Sequence, residues 1–536
     1  MQKLSLTVVF ASISLAGCDL DGSGNSSSSS STSTTSSVAV EMEGKFPTGL
    51  SVASPLQRSS SATTASRMLN RTASDAKYSM EAITTEIEAV STSASSFSSK
   101  FDISHFFTDV GSAECFGPQV MYENHPDGTA GNSGTLPSGD VGIWTDTNGS
   151  TNEACAAAEL NAQMRGAANR TFMSMMSFAG LLAVARLDGV SLPTAGGTPA
   201  DLSSSLSSRM PSSISVTTAQ LSQSSAGVWS YTLEFEYTDS TPPTGATTPQ
   251  TIGLRMEHTP GSSSTAYEGV IQYQMDDYYS PSGNCTADTH GGANITHNGS
   301  LHYKRNGDNI VTQHRYGNLC GHDQTNFSEA ITGKTLQHLS PTSAWDNNFS
   351  ILTAEFDRTD RSGSYAYTWQ AGFVDGSSRI LFVGLNSGGN DGESYYGYGD
   401  TVNTSTSGDI TGLYCNWAGP GTHTLHAYAQ RQFLSYSSTS NQYELSSTAS
   451  SNIRYAPTTS CIYDTEVTGN EFRYDRDIDD TLTDETDITA LVYSSGSAPT
   501  GYHDLDLMSP TIGSTTYTSI MDAIVNGRHF SKPTYP

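Results

Sequence analysis

The chain has 536 residues, with 25 Lys and Arg against 53 Asp and Glu, and its formal net charge is -28. This charge disfavours binding to nucleic acid and to anionic lipid headgroups, because both carry the same sign as the protein. Only 15% of the residues are charged, and Ser, Thr, Gly, Asn and Tyr take their place. We therefore predict a solvated acidic surface and no nucleic-acid partner.

The first 18 residues carry the most specific signal in the chain. A short cationic start precedes an apolar run over 4–15, which is too short to span a membrane as a mature helix. The following Leu15-Ala16-Gly17-Cys18 resembles the lipobox of bacterial lipoproteins, whose cysteine is acylated and becomes the new N-terminus. This resemblance implies a signal peptide over 1–17 and a lipid anchor on Cys18, and two or three acyl chains give stable attachment to a membrane.

The residues after Cys18 bear on where the folded part resides. Asp19 resembles the inner-membrane retention signal of enteric bacteria, although other lineages read this position differently, so the inner and outer membranes both stay open. Residues 23–37 are nearly all Ser, Thr and Gly, which is typical of a flexible tether. We predict that the lipidated cysteine and its tether occupy 18–70, and that the body lies in the periplasm or on the cell surface.

The remaining cysteines predict disulfides, because they are even in number and widely spaced in a chain with an export signal. They are Cys115, Cys155, Cys285, Cys320, Cys415 and Cys461. No CxxC pair occurs, which disfavours zinc ribbons, c-type haem and thioredoxin chemistry. We favour pairing of sequence neighbours, with about 3 to 4 kcal/mol of stabilisation for each loop.

A helical segment is predicted over 71–190. It begins with a short helix over 74–90 and ends with a longer one over 150–188, which has a capping box at Ser150 and Glu153 and a stop at Asp188-Gly189. The longer helix is apolar nearly all round, which indicates burial on all sides. Its aromatic and methionine residues either fill a core or line an adaptable apolar cavity: Phe172, Met173, Met175, Met176 and Phe178.

We predict a loop over 191–226 and an antiparallel β region over 227–536, packed with the helical segment as one body. Apolar residues alternate with polar ones from Trp229 onward, as in strands that bury one face. Asn306-Gly307 and Asp375-Gly376 indicate tight hairpin turns. The predicted fold class is α+β and mainly antiparallel β, with a large curved sheet or open barrel of roughly ten to twelve strands on the buried helix.

Three residue clusters are candidate sites. The Asp-x-Asp-x-Asp spacing resembles the start of a calcium loop, but the EF-hand pattern then fails, and a solvated acidic loop is the favoured interpretation. Five histidines between His290 and His322 lack metal-ligand spacing and are interpreted as polar sheet positions. Tyrosines near 396 are interpreted as sheet aromatics rather than as a sugar-stacking surface. The candidate calcium ligands are Asp475, Asp477, Asp479 and Asp484, and the tyrosines are Tyr395, Tyr396 and Tyr398.

The leading functional hypothesis is a membrane-anchored extracytoplasmic lipoprotein with a non-enzymatic binding or surface-structural role, whose partner is a glycan, a protein or a small ligand. The alternative is a carrier of a lipid or other apolar ligand between the sheet and the helix. An extracytoplasmic hydrolase is the weaker alternative, because no GxSxG elbow occurs. The four residues around Ser133 resemble the nucleophile loop of trypsin-like proteases over that short stretch alone. Apart from the candidate calcium, no cofactor is predicted.

Overall fold

The computed structural model describes part of the chain. Its described residues are 44–47, 50, 115–116, 145–146, 154–238, 249–277, 295–320, 350–370, 377–400, 409–412, 414–417, 423–426, 429–440, 442–446, 453–455, 461–464, 471–474, 503–504, 511–512 and 515–516. Every described residue belongs to one compact unit, Ser37–Pro536. The predicted signal peptide, the lipidated Cys18 and the short helix over 74–90 lie outside the described residues.

The described elements consist of many strands, one long helix and one short helix. The first half of the chain contains β1 (Cys115–Phe116), β2 (Thr145–Asp146), α1 (Cys155–Leu187), β3 (Ala200–Asp201), α2 (Ser203–Ser207), β4 (Ile214–Gln223), β5 (Trp229–Tyr237), β6 (Gln250–Ser263) and β7 (Ala266–Asp277). Next come β8 (Ile295–Asn306), β9 (Asn309–Cys320), β10 (Ser350–Asp357), β11 (Gly363–Gln370), β12 (Ser377–Leu385), β13 (Asp391–Asp400), β14 (Asp409–Gly412), β15 (Tyr414–Trp417) and β16 (His423–His426). The last are β17 (Ala429–Ser437), β18 (Gln442–Leu445), β19 (Ile453–Tyr455), β20 (Cys461–Asp464), β21 (Glu471–Tyr474), β22 (His503–Asp504), β23 (Thr511–Ile512) and β24 (Thr515–Thr516).

One large sheet dominates this fold and confirms the prediction of a mainly antiparallel β protein. It contains 16 strands, and β3 to β13 lie side by side in chain order. Neighbours pair antiparallel except for β19 with β22, which pair in parallel. In the described part of the chain β3 and β22 are the two ends of the sheet path, so the sheet is open. It has more strands than the ten to twelve expected, because several short strands carry too few residues to show a period.

The expected loop over 191–226 contains α2 and the ten-residue strand β4. A register shift between Val216 and Thr218 interrupts the pairing of β4 with β5. This bulge changes which residues face the core, so that Ile214 and then Ala219 and Leu221 are buried. The alternation of buried and exposed residues is broken in the middle of β4, so a search for apolar residues at every second position does not find this strand.

The long helix α1 begins later than predicted and ends as predicted. Its N-cap is Ala154, which has no side-chain cap and whose N–H donates to the carbonyl oxygen of Tyr443. The expected capping box of Ser150 and Glu153 lies outside the described residues. At the other end Gly189 has a φ of 64°, and the N–H of Val190 donates to the carbonyl of Ala185, as in a Schellman motif.

The sheet buries one continuous apolar row across strands β5 to β13. Nine successive register partners form this row, and each is at most 8% exposed: Tyr231, Met256, Ile271, Leu301, His314, Leu352, Tyr367, Leu381 and Tyr396. The ring of Phe178 in α1 lies 5.7 Å from the ring of Tyr231, so we call the face that carries this row the helix face. His314 is the one imidazole in it.

The opposite face is also buried in the middle of the sheet, which differs from the expectation of strands with one buried face. Gln272, Ser300 and Arg315 are successive register partners on β7, β8 and β9, and each is at most 6% exposed. Polar residues at alternate positions predict exposure to water. Here the tertiary structure covers them, which the sequence pattern cannot show.

Candidate functional site

A charged side chain of the long helix contacts an aromatic ring on the helix face of the sheet. Arg170 belongs to α1, and the central carbon of its guanidinium lies 4.1 Å from the centroid of the Tyr316 ring in β9. An aromatic ring has a negative face, which attracts a guanidinium by about 1 to 2 kcal/mol where water is excluded. This contact holds the Arg170 charge over a neutral ring.

A hydrogen-bond chain connects this arginine to the sheet. Arg170 forms a side-chain hydrogen bond with Tyr273 of β7. Arginine can only donate, so the Tyr273 oxygen accepts from it, and the same hydroxyl is hydrogen-bonded to Nε2 of His314 at 2.9 Å. A neutral His314 accepts from this hydroxyl or donates to it, depending on which ring nitrogen carries the hydrogen.

A glycine in β8 allows Tyr273 and His314 to meet across an intervening strand. Gly299 is the register partner of both Tyr273 and Tyr316, so it lies between β7 and β9. A Cβ atom at Gly299 would be 2.0 Å from Cζ of Tyr273, which is far inside van der Waals contact. The Tyr273 ring occupies that space and reaches the His314 ring, with ring centroids 6.0 Å apart.

Burial fixes the protonation states of these groups. It lowers the pKa of His314 well below the ordinary 6.5, and the charge of Arg170 lowers it further. It also raises the pKa of Tyr273 well above its usual range. Burial opposes the charge of Arg170, but its tyrosine neighbours leave its pKa raised overall. At neutral pH the cluster therefore consists of a cation, phenols and a neutral imidazole.

The Arg170 charge is not matched by an ion pair in the part of the chain that the structure describes. The ion pairs there are Arg209 with Asp188, Arg255 with Glu234, and Lys304 with Glu268. The Nε atom of Arg170 is buried, and no hydrogen-bond partner for it is found among the described residues. A carboxylate or a phosphate group would supply the negative charge and the oxygen acceptors that the described surroundings of this guanidinium do not provide.

A second aromatic cluster lies further along the helix face. Nδ1 of His258 lies 3.1 Å from the Tyr303 hydroxyl, and the ring of Tyr267 lies 5.3 Å from the His258 ring. Burial lowers the pKa of His258 to about 3, so this imidazole is neutral under ordinary conditions. Its Nδ1 has a partner within the protein, and we interpret the cluster as structural.

The opposite face of the sheet carries a bonded polar network. Nε of Arg315 donates to Gln313 at 3.1 Å, and the Gln313 amide donates to the Thr353 hydroxyl at 3.1 Å. Beside this network, the hydroxyl of Ser300 and both amide atoms of Gln274 are buried, with no hydrogen-bond partner among the described residues. The network explains how a second arginine is tolerated inside the protein.

The residues predicted to line an apolar cavity all belong to α1. Met175, Met176 and Phe178 are buried, and they belong to the main hydrophobic core together with the sheet residues. Phe172 and Met173 also lie in the helix, but their side chains are outside the described residues.

Only one of the predicted disulfide cysteines has a described sulfur. Cys155, the first residue of α1, is fully buried and disulfide-bonded. Its predicted partner Cys115 begins β1, a strand that contacts α1, and the pairing itself stays a prediction. Cys320 ends β9, Cys415 lies in β15 and Cys461 begins β20, whereas Cys285 lies outside the described residues.

The remaining candidate sites predicted from the sequence are the acidic cluster, the loop around Ser133, the tyrosines and the histidines. The candidate calcium ligands over 475–484 and the loop around Ser133 lie outside the described residues. Tyr395 and Tyr396 are fully buried, so these two do not form an exposed sugar-stacking surface. His302 and His314 lie on opposite faces, because His302 pairs with Gln313. His314 is buried against the helix and is not an ordinary polar sheet position.

Sequence reasoning missed the cluster of Arg170, Tyr273 and Tyr316. In the sequence, Arg170 lies at the start of the apolar run of the helix. A cation inside an apolar helix was nevertheless a usable signal, because a buried charge needs a partner. The two tyrosines gave no such signal, since alternate tyrosines are common in strands.

Comparison with known proteins finds no matching family model, no similar curated protein and no similar solved structure. Within the described residues, no helix combines the length and the apolar character needed to cross a membrane. Groups of three or more His, Cys, Asp or Glu residues that could hold a metal ion are not found in the same part of the chain. The function must therefore be inferred from this protein's own sequence and structure.

Proposed function

We propose that this chain is a lipid-anchored extracytoplasmic protein whose β-rich body binds a ligand or partner and does not catalyse a reaction. The lipobox at Leu15-Ala16-Gly17-Cys18 supports the anchor and the export. The disulfide at Cys155 supports an oxidising compartment, because disulfides persist mainly outside the cytosol. The binding role is carried by one observation, which is the charge of Arg170 held among neutral groups.

The protonation states in the Arg170 cluster favour binding over acid–base catalysis. A general acid or base works best with a pKa near the working pH. The pKa of His314 is lowered and that of Tyr273 is raised, so both move away from neutrality. Preset donors that keep their protons are suited to holding a ligand in place.

We also propose that the large sheet curves around α1, so that sheet and helix form one body. The helix contacts β4, β5 and β7 at one part of the sheet, and β11, β12 and β13 at another. A straight helix can reach such distant strands if the sheet bends around it. In this arrangement Met175 and Phe178 fill the core, which disfavours a carrier with a large apolar cavity at these residues.

The anchor is tested by mass spectrometry of the protein purified from native membranes. We expect an N-terminal peptide that begins with acylated Cys18. A Cys18→Ala variant should retain its leader and lose the acyl mass, whereas a Ser23→Ala variant in the tether should be processed normally. An unmodified Cys18 thiol in the native protein would overturn the proposed location.

The binding role is tested separately on the same preparation. We expect native mass spectrometry to detect a non-covalent ligand that denaturation releases, or a partner that chemical crosslinking captures through the body. Turnover of a substrate by the pure protein, abolished by a single substitution outside the Arg170 cluster, would contradict a non-enzymatic role.

A further inference from the structure

We propose that Arg170, with Tyr273 and Tyr316, binds the carboxylate of a small amphiphilic molecule. This inference rests on the proposed binding function and adds the chemical class of the ligand. It concerns the junction of α1, β7 and β9, where the guanidinium, a hydroxyl and an aromatic ring come together.

The charge balance of the junction argues for an anion. Removing a cation from water costs several kcal/mol unless a counter-charge and hydrogen bonds compensate. The described neighbours of Arg170 are Tyr273, Tyr316 and Tyr367, which are neutral phenols, and the neutral His314. A ligand that brings a negative charge supplies the compensation that these neighbours do not.

The donor geometry argues for a carboxylate. A carboxylate binds arginine through two parallel N–H···O bonds, which can use Nε together with one terminal nitrogen. Nε of Arg170 is buried, and the described residues offer it no acceptor. Stacking on Tyr316 holds the guanidinium over the ring, and the bond to Tyr273 restrains one of its donors. Nε is therefore the donor that a carboxylate oxygen would satisfy.

The surroundings argue that the ligand is amphiphilic. Tyr367 is only 8% exposed, and Leu352 lies between Tyr367 and His314 in the register. Arg170 itself is partly exposed, so solvent reaches part of this residue. An anionic group at Arg170 would thus have apolar and aromatic side chains on the sheet side, which suit a ligand with a short apolar body.

The test uses equilibrium dialysis of labelled octanoate against the full-length lipidated protein in a nonionic detergent, with protein-free detergent as the blank. Octanol is the neutral probe of similar size, and inorganic phosphate is the anion without an apolar body. We expect octanoate to bind, octanol to bind at least about tenfold more weakly, and phosphate to compete poorly.

Substitutions test whether octanoate binds at the junction of α1, β7 and β9. Arg170→Gln should weaken octanoate binding by about tenfold or more, and Arg170→Lys, which keeps the charge and loses the fork, by less. Arg186→Gln is the matched control, because it removes the same charge from the last turn of the same helix and should leave octanoate binding unchanged. Tyr273→Phe provides a second test that keeps the ring if Arg170→Gln does not fold.

The outcomes separate this inference from the proposed function. Equal binding of octanol and octanoate, or unchanged octanoate binding in folded Arg170→Lys and Tyr273→Phe, would overturn the carboxylate site and leave a binding role standing. Strong competition by phosphate would assign the site to inorganic anions and would also overturn the inference. Failure of all three probes, together with native protein that carries no ligand or partner, would reject both proposals.

Discussion

The two faces of strands β7 to β10 are both buried, but each face holds its arginine differently. On the opposite face, Arg315 lies in the sheet and its Nε donates to Gln313, which in turn bonds Thr353. On the helix face, Arg170 comes from α1 and is held by tyrosines, and its Nε has no partner among the described residues. One face thus satisfies its cation within the protein, and the other presents an unfilled donor.

The different surroundings of Arg315 and Arg170 distinguish a structural role from a binding role. A buried polar network with satisfied members adds rigidity and needs nothing from outside. A cation with a buried donor that lacks an acceptor is costlier than a neutral group in the same situation, such as Gln274 or Ser300 on the opposite face, and a protein retains it mainly where it serves a function. The predictions below test whether the two faces differ in this way, from the largest expected effect to the smallest.

The largest effect should come from acid, because both faces bury neutral histidines. Burial lowers the pKa of His258 to about 3 and that of His302 to about 4, and it lowers the pKa of His314 well below 6.5. The unfolded chain, with an ordinary histidine pKa of about 6.5, binds more protons in this interval. The free energy of unfolding should therefore fall as the pH drops below about 6.5, by about 1.4 kcal/mol per pH unit for each histidine, until the folded pKa is reached.

Urea denaturation at a series of pH values measures this loss. His302→Gln should flatten the slope from the opposite face, and His314→Gln should flatten it from the helix face. A free energy of unfolding that stays constant from about pH 7 to about pH 4 would contradict the burial of neutral imidazoles.

The next effect concerns the contact of the helix with the sheet. Phe178→Ala should lower the free energy of unfolding by about 3 to 5 kcal/mol, because it removes a fully buried ring that touches Tyr231. Leu187→Ala in the last residue of the same helix is the control, since Leu187 is 37% exposed and should matter much less. Equal losses in the two variants, measured by urea denaturation, would argue against the packing of α1 on the sheet.

A smaller loss is expected at the glycine that lets Tyr273 reach His314. Gly299→Ala should cost about 2 kcal/mol, because the new methyl group collides with the Tyr273 ring. In a Tyr273→Ala background the same change should cost much less, so the two effects should not add. Additive losses in this double-mutant cycle would show that the ring does not depend on Gly299.

The smallest effect is expected one residue further along β8, on the opposite face. Ser300→Ala should change the free energy of unfolding by less than about 0.5 kcal/mol or should stabilise the protein, because the Ser300 hydroxyl is buried without a described partner. A loss above about 1 kcal/mol would instead reveal a hydrogen bond to this hydroxyl, measurable by the same urea denaturation.

The sequence predicted those elements whose local signals agree with their tertiary role. The alternation from Trp229 onward gave the antiparallel strands, and Asn306-Gly307 marked the turn between β8 and β9. Asp188-Gly189 marked the end of α1, where Gly189 adopts a positive φ. The strand β4 was missed because its bulge breaks the period, and the start of α1 was misplaced because a backbone bond to Tyr443 replaces a side-chain cap.

What the sequence determined by itself is the antiparallel β character of the body and the long apolar helix, since each depends on neighbouring residues, whereas the export of the chain stays a prediction. What only the tertiary structure decided is the burial of both faces of the central sheet and the meeting of Arg170, Tyr273 and His314. These groups are separated by up to 144 residues from Arg170 to His314 along the chain (314 minus 170). No local pattern connects residues so far apart, because their contact depends on strand register and on how the helix lies on the sheet.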